Sequence, residues 1–269
     1  MAFGVSFLYV FGELLPVVKV KTADQIKAMR KAGQIVARVL RALEERVRPG
    51  VTTGELDRVA EELTYKFGAV PAFKGYKVLG RVYPASLCIS VNEEVVHGIP
   101  SAARRLEEGD IVGLDFGVRY DGVYGDAAIT VPVGHVDEES QRLIETAKKA
   151  LWAGIREARA GSRVGDISAA IQEAVESEGF SVVRQFVGHG IGEQLHEDPQ
   201  VPNFGRRDRG ERLVEGMALA IEPMVNAGGW EVDILQDGWT AVTRDRRRSA
   251  HFEHTIVVTS DGAEVLTQL

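Results

Sequence analysis

Cysteine is almost missing from this chain of 269 residues, and its scarcity excludes a framework of disulfide bonds. Cys88 is the only cysteine, so no intramolecular disulfide can form, as is usual in a reducing compartment, and we expect a cytoplasmic protein. Basic residues are outnumbered by acidic ones, 32 against 39, and the net charge of −7 disfavours a general nucleic-acid binder. With 45% hydrophobic residues, a chain of this length can bury a sizeable core without structural metal.

The chain also lacks an apolar run long enough to cross a membrane. Its most apolar stretch, residues 1–18, is interrupted by Glu13 and has no basic residue before Lys19, which argues against a secretory signal peptide. We divide the sequence into an N-terminal extension, residues 1–20, and one domain, residues 21–269. We predict that part of residues 1–18 packs on this domain as an extended strand, and the alternative is a disordered tail from an upstream start codon.

The domain contains an internal repeat. Gly161 and Gly165 recur after Gly50 and Gly54 at an offset of 111 (161 − 50 = 111). Such a duplication predicts an α+β fold whose two pseudo-symmetric halves, about residues 24–132 and 137–259, share one sheet and one core.

Each half has the pattern of two helices followed by several strands. Apolar residues at alternating spacings of three and four predict the first helix over Asp24–Val47. Thr52 and Glu55 form the pattern of a capping box, which predicts where the second helix begins.

The repeat aligns four acidic residues in two pairs, Asp115 with Glu222 and Asp126 with Glu253. All four lie in, or at the end of, apolar strand-like runs. One such acid is usually part of a salt bridge, but four buried together would repel one another and lose their hydration unless cations neutralised them. Two divalent cations balance four carboxylates, so the sequence predicts a dinuclear metal site.

Three histidines lie in loops that the repeat brings into correspondence. His189 lies between Gly188 and Gly190, where a tight turn is the alternative explanation, and His97 corresponds to His196. Neutral imidazoles suit divalent transition metals and donate well to a developing oxyanion. We therefore expect a fifth metal ligand and additional donors from this group.

Several short motifs together carry a family resemblance. They are residues 88–100, 114–117, 188–192, 220–224, 237–240 and 252–256. In these segments the chain resembles the methionine aminopeptidases, and the similarity extends from about Lys21 to Val258. No long insertion separates His196 from Glu222, so the resemblance is to the type I, bacterial-style form. It implies the pita-bread fold, with an antiparallel sheet and flanking helices in each half.

The resemblance also implies the site. The metal ligands would be Asp115, Asp126, His189, Glu222 and Glu253, with Asp126 and Glu253 bridging both ions. A metal-bridging hydroxide would be the nucleophile, and Glu222 would carry the proton. The remaining implied catalytic residues are His196, which would steady the carbonyl oxygen, and His97, which would contact the scissile amide nitrogen. The methionine side chain would occupy an apolar pocket formed by Tyr76, Tyr83, Cys88, Leu195 and Trp239.

Two features depart from the family pattern. Residues 77–82 are inserted where the family usually has only a residue or two, beside the predicted pocket residue Tyr76. His251 replaces a common glutamine two residues before Glu253. His251 could donate to a ligand, act as an extra ligand or be a tolerated exchange, and we favour the donor.

Two other function classes compete with an aminopeptidase. Proline-directed peptidases share the implied fold and ligands, but they usually carry a whole domain before the catalytic one. A non-catalytic binding protein of the same fold would use arginine runs such as 244–248, although such proteins have typically lost ligands and short charge runs are usually solvated loops.

The resemblance implies that the substrates are nascent polypeptides and peptides with an N-terminal methionine and a small second residue. The cofactors would be two divalent ions of Co, Mn, Fe or Zn, whose identity the sequence leaves open. We expect a monomer without a membrane or specific nucleic-acid partner, and docking at the ribosome stays open.

Overall fold

The computed structural model describes residues 19–268, which form four helices and seventeen strands. The helices are α1 (Ala23–Glu44), α2 (Thr53–Lys66), α3 (Glu138–Glu157) and α4 (Val164–Glu176). The strands are β1 (Val70–Pro71), β2 (Lys77–Val78), β3 (Arg81–Val82), β4 (Cys88–Val91), β5 (Glu94–Val96), β6 (Ile111–Tyr120), β7 (Val123–Pro132), β8 (Ser181–Val182), β9 (Gly188–Gly190), β10 (Glu197–Val201), β11 (Ala218–Ile221), β12 (Met224–Asn226), β13 (Val232–Ile234), β14 (Ala241–Thr243), β15 (Ser249–His251), β16 (Glu253–Val258) and β17 (Ala263–Val265). The predicted packing of residues 1–18 lies outside the described residues. No helix within 19–268 combines the length and apolar character that a membrane crossing requires.

The first two helices begin where their side chains cap the backbone. Thr22 and Gln25 form a capping box at α1, and the predicted box of Thr52 and Glu55 is confirmed at α2. Helix α1 ends at Glu44, three residues before the predicted end at Val47 (47 − 44 = 3). The chain turns ahead of Pro49, because proline disfavours the helical conformation of the residue before it.

One nine-stranded antiparallel sheet runs through both halves of the sequence. Its main strand order is β1-β6-β7-β16-β11-β9-β10, with β4 also paired to β6 and β17 to β16. The strands of the two halves meet where Glu253 of β16 pairs with Ala128 of β7. The prediction of one shared antiparallel sheet is therefore confirmed.

The repeat is visible in the backbone hydrogen bonds. The N–H of Gly50 donates to the Leu106 carbonyl (2.8 Å), and the N–H of Gly161 donates to the Leu213 carbonyl (2.9 Å). Both glycines have a positive φ, 88° and 97°, which a residue with a side chain adopts only with strain. The glycines that revealed the repeat in the sequence therefore make the same turn in each half.

The buried apolar residues do not form the single core that we expected. Helices α1 and α2 cover one cluster around Leu40 and Phe116, and α3 and α4 cover another around Leu151 and Ile256. Ile129 of β7 packs against both clusters. The two helix pairs thus cover separate clusters, but a third cluster contains residues of both halves, among them Met29 and Val257.

The inserted segment 77–82 forms a two-stranded hairpin of β2 and β3. Its turn residues Leu79 and Gly80 both have positive φ, 48° and 80°. A two-residue hairpin turn of type I′ requires positive φ at both of these positions. The Leu79 side chain is 75% exposed. Arg81 Nη1 donates to the carbonyl of Gly238 (3.0 Å), which links the hairpin to the segment that carries Trp239.

Candidate functional site

Strand register brings the four predicted acids to one face of the sheet. Asp115 on β6 is opposite Ala128 on β7, which is opposite Glu253 on β16. Directly opposed residues point to the same face, and so do residues two apart, which adds Asp126 of β7. Glu222 directly follows β11, which pairs with β16 on the side away from β7. The pairs that the repeat aligned in sequence therefore meet where the two halves join.

These carboxylates are buried without the partners that a buried charge needs. Asp126 is 4% exposed and Glu253 is 2% exposed. The Asp115 Oδ1, Asp126 Oδ1 and Glu253 Oε1 atoms have no hydrogen-bond partner among the described residues. Ligand atoms of Asp126, Glu253 and His189 lie within 4.8 Å of one another. Orphaned carboxylate oxygens beside an imidazole fit a divalent cation, and a cation would offset their lost hydration.

Burial and mutual repulsion oppose the ionisation of this group. Burial, followed by the charge of Asp126, raises the pKa of Asp115 well above its usual range. Burial also raises the pKa values of Glu222 and Glu253 strongly, and neighbouring carboxylates add to the effect. The pKa of Asp126 rises to about 7, mainly through burial. A cation among these residues would reverse all four shifts, because it favours the charged form.

His189 presents one ring nitrogen to the acids. Strand β9 pairs with β11 so that His189 is opposite Ala220, two residues before Glu222. Its Nδ1 donates to the carbonyl of Gly190 (2.8 Å), so Nε2, 3.5 Å from Glu222 Oε1, carries the lone pair. Burial lowers the pKa of His189 to about 3, which keeps the ring neutral and able to bind a metal. A Cβ on Gly190 would lie 2.2 Å from the Asp198 carbonyl of β10, so only glycine allows β9 to pair with β10 on its other side.

The other two predicted histidines lie near one another and near the imidazoles that face Glu222. The ring centroid of His196 lies 4.3 Å from that of His189, and its Nδ1 is 2.7 Å from the Tyr76 hydroxyl. His97 adopts a φ of +62° and packs edge-on against Phe186, with 5.3 Å between ring centroids. Burial lowers the pKa of His97 to about 4, so this ring is neutral near pH 7. Phe186 was not predicted from the sequence, because an isolated aromatic residue before the Gly188 motif looks like any core residue.

The five predicted pocket residues lie in one apolar cluster. Tyr83, Cys88 and Leu195 are buried there, and Tyr76 and Trp239 pack against them. Tyr83 meets Trp239 edge-on at 5.2 Å, and its hydroxyl donates to the Gly98 carbonyl (2.8 Å).

Cys88 joins the apolar cluster to the acids. It is the register partner of Asp115, and burial raises the pKa of its thiol well above the usual value. The thiol therefore stays protonated and uncharged. Phe73 and Ile99 belong to the same cluster and were not predicted from the sequence.

His251 also faces the acids. It is 4% exposed, and its Nε2 lies 3.7 Å from Glu222 Oε2. Register does not place it on the row of acids, since it ends the separate strand β15 and pairs with Met224 of β12.

Known proteins share both this sequence and this fold. Residues 27–260 match metallopeptidase family M24. A methionine aminopeptidase of Clostridium perfringens is 53% identical over 247 residues, covering 92% of this chain and 97% of the relative. The crystal structure of a methionine aminopeptidase from Thermotoga maritima has 48% identity and a TM-score of 0.92, covering 94% of this chain and all of that one. A prolidase from Pyrococcus furiosus shares the fold at 24% identity and a TM-score of 0.75, and this chain covers 65% of it.

These similarities agree with the architecture and the carboxylate–imidazole cluster described above. The predicted pita-bread fold is confirmed by the solved structures. A family match over most of the described residues, together with relatives of about half-identical sequence, settles the classification. The chain belongs to metallopeptidase family M24.

Proposed function

We propose that this protein removes the N-terminal methionine from nascent proteins and peptides whose second residue is small, in a metal-dependent hydrolysis. The observation that carries the proposal is the contact between two features. A cluster of buried carboxylates and an imidazole adjoins the apolar cluster of Tyr83, Cys88 and Leu195 through the register pair Cys88 and Asp115. The relatives named methionine aminopeptidase support the same activity.

The proposed ligands of two divalent ions are Asp115, Asp126, His189, Glu222 and Glu253. The support is their shared face of the sheet and the orphaned oxygens of three of them. Four carboxylates would balance the charge of two divalent ions, and Asp126 and Glu253, on the paired strands β7 and β16, would be among the residues that hold them. A site of carboxylates with one imidazole accepts Mn, Fe, Co or Zn, so metal availability would select the ion.

When bound, such cations supply Lewis acidity, which makes water a nucleophile near neutral pH and polarises the substrate carbonyl. The chain's own residues would do the rest. Glu222 would accept the proton of the attacking water on its carboxylate and deliver it to the leaving amine. His196 would donate to the carbonyl oxygen as negative charge develops there, and Tyr76, bonded to its Nδ1, would hold the ring in place. His97 would contact the scissile amide nitrogen.

The pocket suits an unbranched thioether. Aromatic and apolar walls from Tyr76, Tyr83, Leu195 and Trp239, together with the protonated thiol of Cys88, leave a methionine side chain no charged partner. Methionine adapts well to such surfaces because its side chain is flexible and polarisable. The substrate class would be nascent chains, handled by a cytoplasmic monomer. Docking at the ribosome would bring the enzyme to its substrate.

The test compares two peptides. The metal-free protein is loaded with Mn²⁺ and incubated with Met-Ala-Ser or Ala-Pro-Ser, and the products are read by mass spectrometry. We expect release of methionine from the first peptide, no cleavage of the second, and no cleavage of either by Glu253→Gln or in excess chelator. Release of alanine from Ala-Pro-Ser without release of methionine would instead assign a proline-directed peptidase. Cleavage that persists in chelator would refute the metal requirement.

A further inference from the structure

His251 is fixed more firmly than its position at a strand end requires. Its N–H donates to the Thr130 hydroxyl (2.9 Å), and the same hydroxyl donates back to the His251 carbonyl (2.8 Å). One side chain of β7 therefore holds both backbone groups of the residue. Because the ring is also buried, its direction is set by the fold and not by solvent.

The ring of His251 is aimed at a single carboxylate oxygen. Its Nε2 has no hydrogen-bond partner among residues 19–268, although it is buried. The nearest acidic atom is Glu222 Oε2, at 3.7 Å, while the other oxygen of Glu222 lies 3.5 Å from His189 Nε2. The two oxygens of Glu222 thus face two different imidazoles.

The two imidazoles cannot have the same role. His189 donates its Nδ1–H to the Gly190 carbonyl, so its Nε2 carries a lone pair that can bind a metal. Once a bound cation keeps Glu222 ionised, an Nε2 lone pair on His251 would repel the carboxylate oxygen that it faces, whereas an Nε2–H would attract it. At 3.7 Å the contact is longer than a hydrogen bond, so the two groups would have to approach by about half an ångström to form one.

We propose that His251 is a positioning residue, whose Nε2–H holds Oε2 of Glu222 and thereby turns Oε1 toward the cation that it would share with His189. The proposal rests on the proposed function, because it assigns the orientation of a ligand that also carries a proton. Groups that orient a metal ligand typically change metal affinity by about 10- to 100-fold when removed, although they do not touch the metal.

The test distinguishes a His251 that donates a hydrogen bond from a His251 whose ring only fills space. His251→Gln keeps an N–H donor, whereas His251→Leu and His251→Met fill a similar volume without one. His254→Gln is the matched control, because His254 lies next to Glu253 but bonds Thr267 through Nδ1 (2.9 Å) on the other face of β16. Calorimetric titration of each metal-free protein with Mn²⁺ gives stoichiometry and Kd, and Met-Ala-Ser hydrolysis gives kcat and KM.

We expect unchanged Mn²⁺ stoichiometry in all four variants. Kd should rise about 10- to 100-fold in the Leu and Met variants, return to within about threefold of wild type in His251→Gln, and stay unchanged in His254→Gln. kcat should follow the same order while KM changes by less than about twofold, since Glu222 acts on the proton and not on methionine binding.

Three outcomes would overturn the proposal. Loss of one Mn²⁺ equivalent in any of the three His251 variants would make His251 a ligand. Wild-type Kd and kcat in both donor-free variants would make it a filler of space. A zinc-loaded protein whose His251 carries its proton on Nδ1, seen by nitrogen NMR of the imidazoles, would remove the donor. The titration needs no substrate, so it tests His251 even if the protein fails to cleave Met-Ala-Ser.

Discussion

Asp126→Asn should stabilise the metal-free protein while it abolishes activity. Asp126 is buried, its Oδ1 has no partner among the described residues, and burial raises its pKa from 3.8 to about 7. Asparagine has nearly the same shape as the protonated acid and never becomes charged. The substitution therefore removes the cost of ionising a buried carboxyl beside other carboxylates.

The sign of the effect follows from proton linkage. A group whose pKa is raised in the folded state contributes stability that is complete below its unfolded pKa, near 4, and is lost as the pH rises to about 7. Between these values the loss is about 1.4 kcal/mol per pH unit, so Asp126 forfeits up to about 4 kcal/mol by pH 8. Asparagine does not titrate, so the variant loses none of this free energy of unfolding. The neighbouring acids and histidines are the same in both proteins, so their titration affects both in the same way.

The assay is thermal unfolding of both proteins in excess chelator from pH 4 to pH 8. Tm should coincide near pH 4, and the asparagine variant should melt higher at pH 8, by about 10 °C if each kcal/mol shifts Tm by about 2–4 °C. Saturating Mn²⁺ should reverse the order, because two ions, each at 100 times its Kd, add about 5.4 kcal/mol (2 × 2.7) to the stability of the protein that binds them, which exceeds the loss of about 4 kcal/mol. An asparagine variant that melts no higher than wild type at pH 8 without metal would refute this reasoning. So would retention of more than about a tenth of kcat, a barrier change below about 1.4 kcal/mol, in the loaded variant.

Three further predictions concern residues around the acids. His196→Ala should keep the Mn²⁺ stoichiometry seen by calorimetry and lower kcat on the order of a hundredfold, as expected for one lost oxyanion donor, and loss of metal would make His196 a ligand. Replacing the inserted hairpin, residues 77–82, by a two-residue link should lower kcat/KM for Met-Ala-Ser about tenfold, because it would disturb the hydrogen bond between Tyr76 and His196. Mn²⁺ affinity should stay unchanged. An unaltered kcat/KM would show that the hairpin does not act on the predicted pocket. Cys88 should resist iodoacetamide at pH 8 until the protein is unfolded, because burial raises the pKa of its thiol, and rapid alkylation of the native protein would contradict the buried pocket wall.

The acids could be predicted from the sequence because their signal is local and unusual. A charged residue in an apolar strand is conspicuous, and the order of residues along the chain is enough for the repeat to pair Asp115 with Glu222 and Asp126 with Glu253. Strand periodicity then requires Asp126 to share a face with the residue opposite Asp115. The capping box of Thr52 and Glu55 is local in the same sense, since four consecutive residues form it.

Contacts between distant segments could not be predicted in this way. Phe186 contacts His97 only in the folded chain, and nothing in the sequence around either residue predicts this contact. Leu79 has a positive φ although leucine rarely adopts one, so the turn of the inserted hairpin carries no sequence signal beyond Gly80. The separation into two apolar clusters depends on how each helix pair packs, which periodicity alone does not determine.

The duplication also explains why the proposed metal site lies where it does. Within the sheet the halves join through Glu253 opposite Ala128 and His254 opposite Ala127, at the strands that carry the acids. Asp115 and Asp126 come from one half, whereas His189, Glu222 and Glu253 come from the other. Cations bound to both sets would therefore add a further link between the halves, beside the shared sheet and the apolar cluster that both halves form, as well as provide Lewis acidity. Carboxylates that destabilise the metal-free fold would then stabilise the loaded one, and the same charges would serve both structure and chemistry.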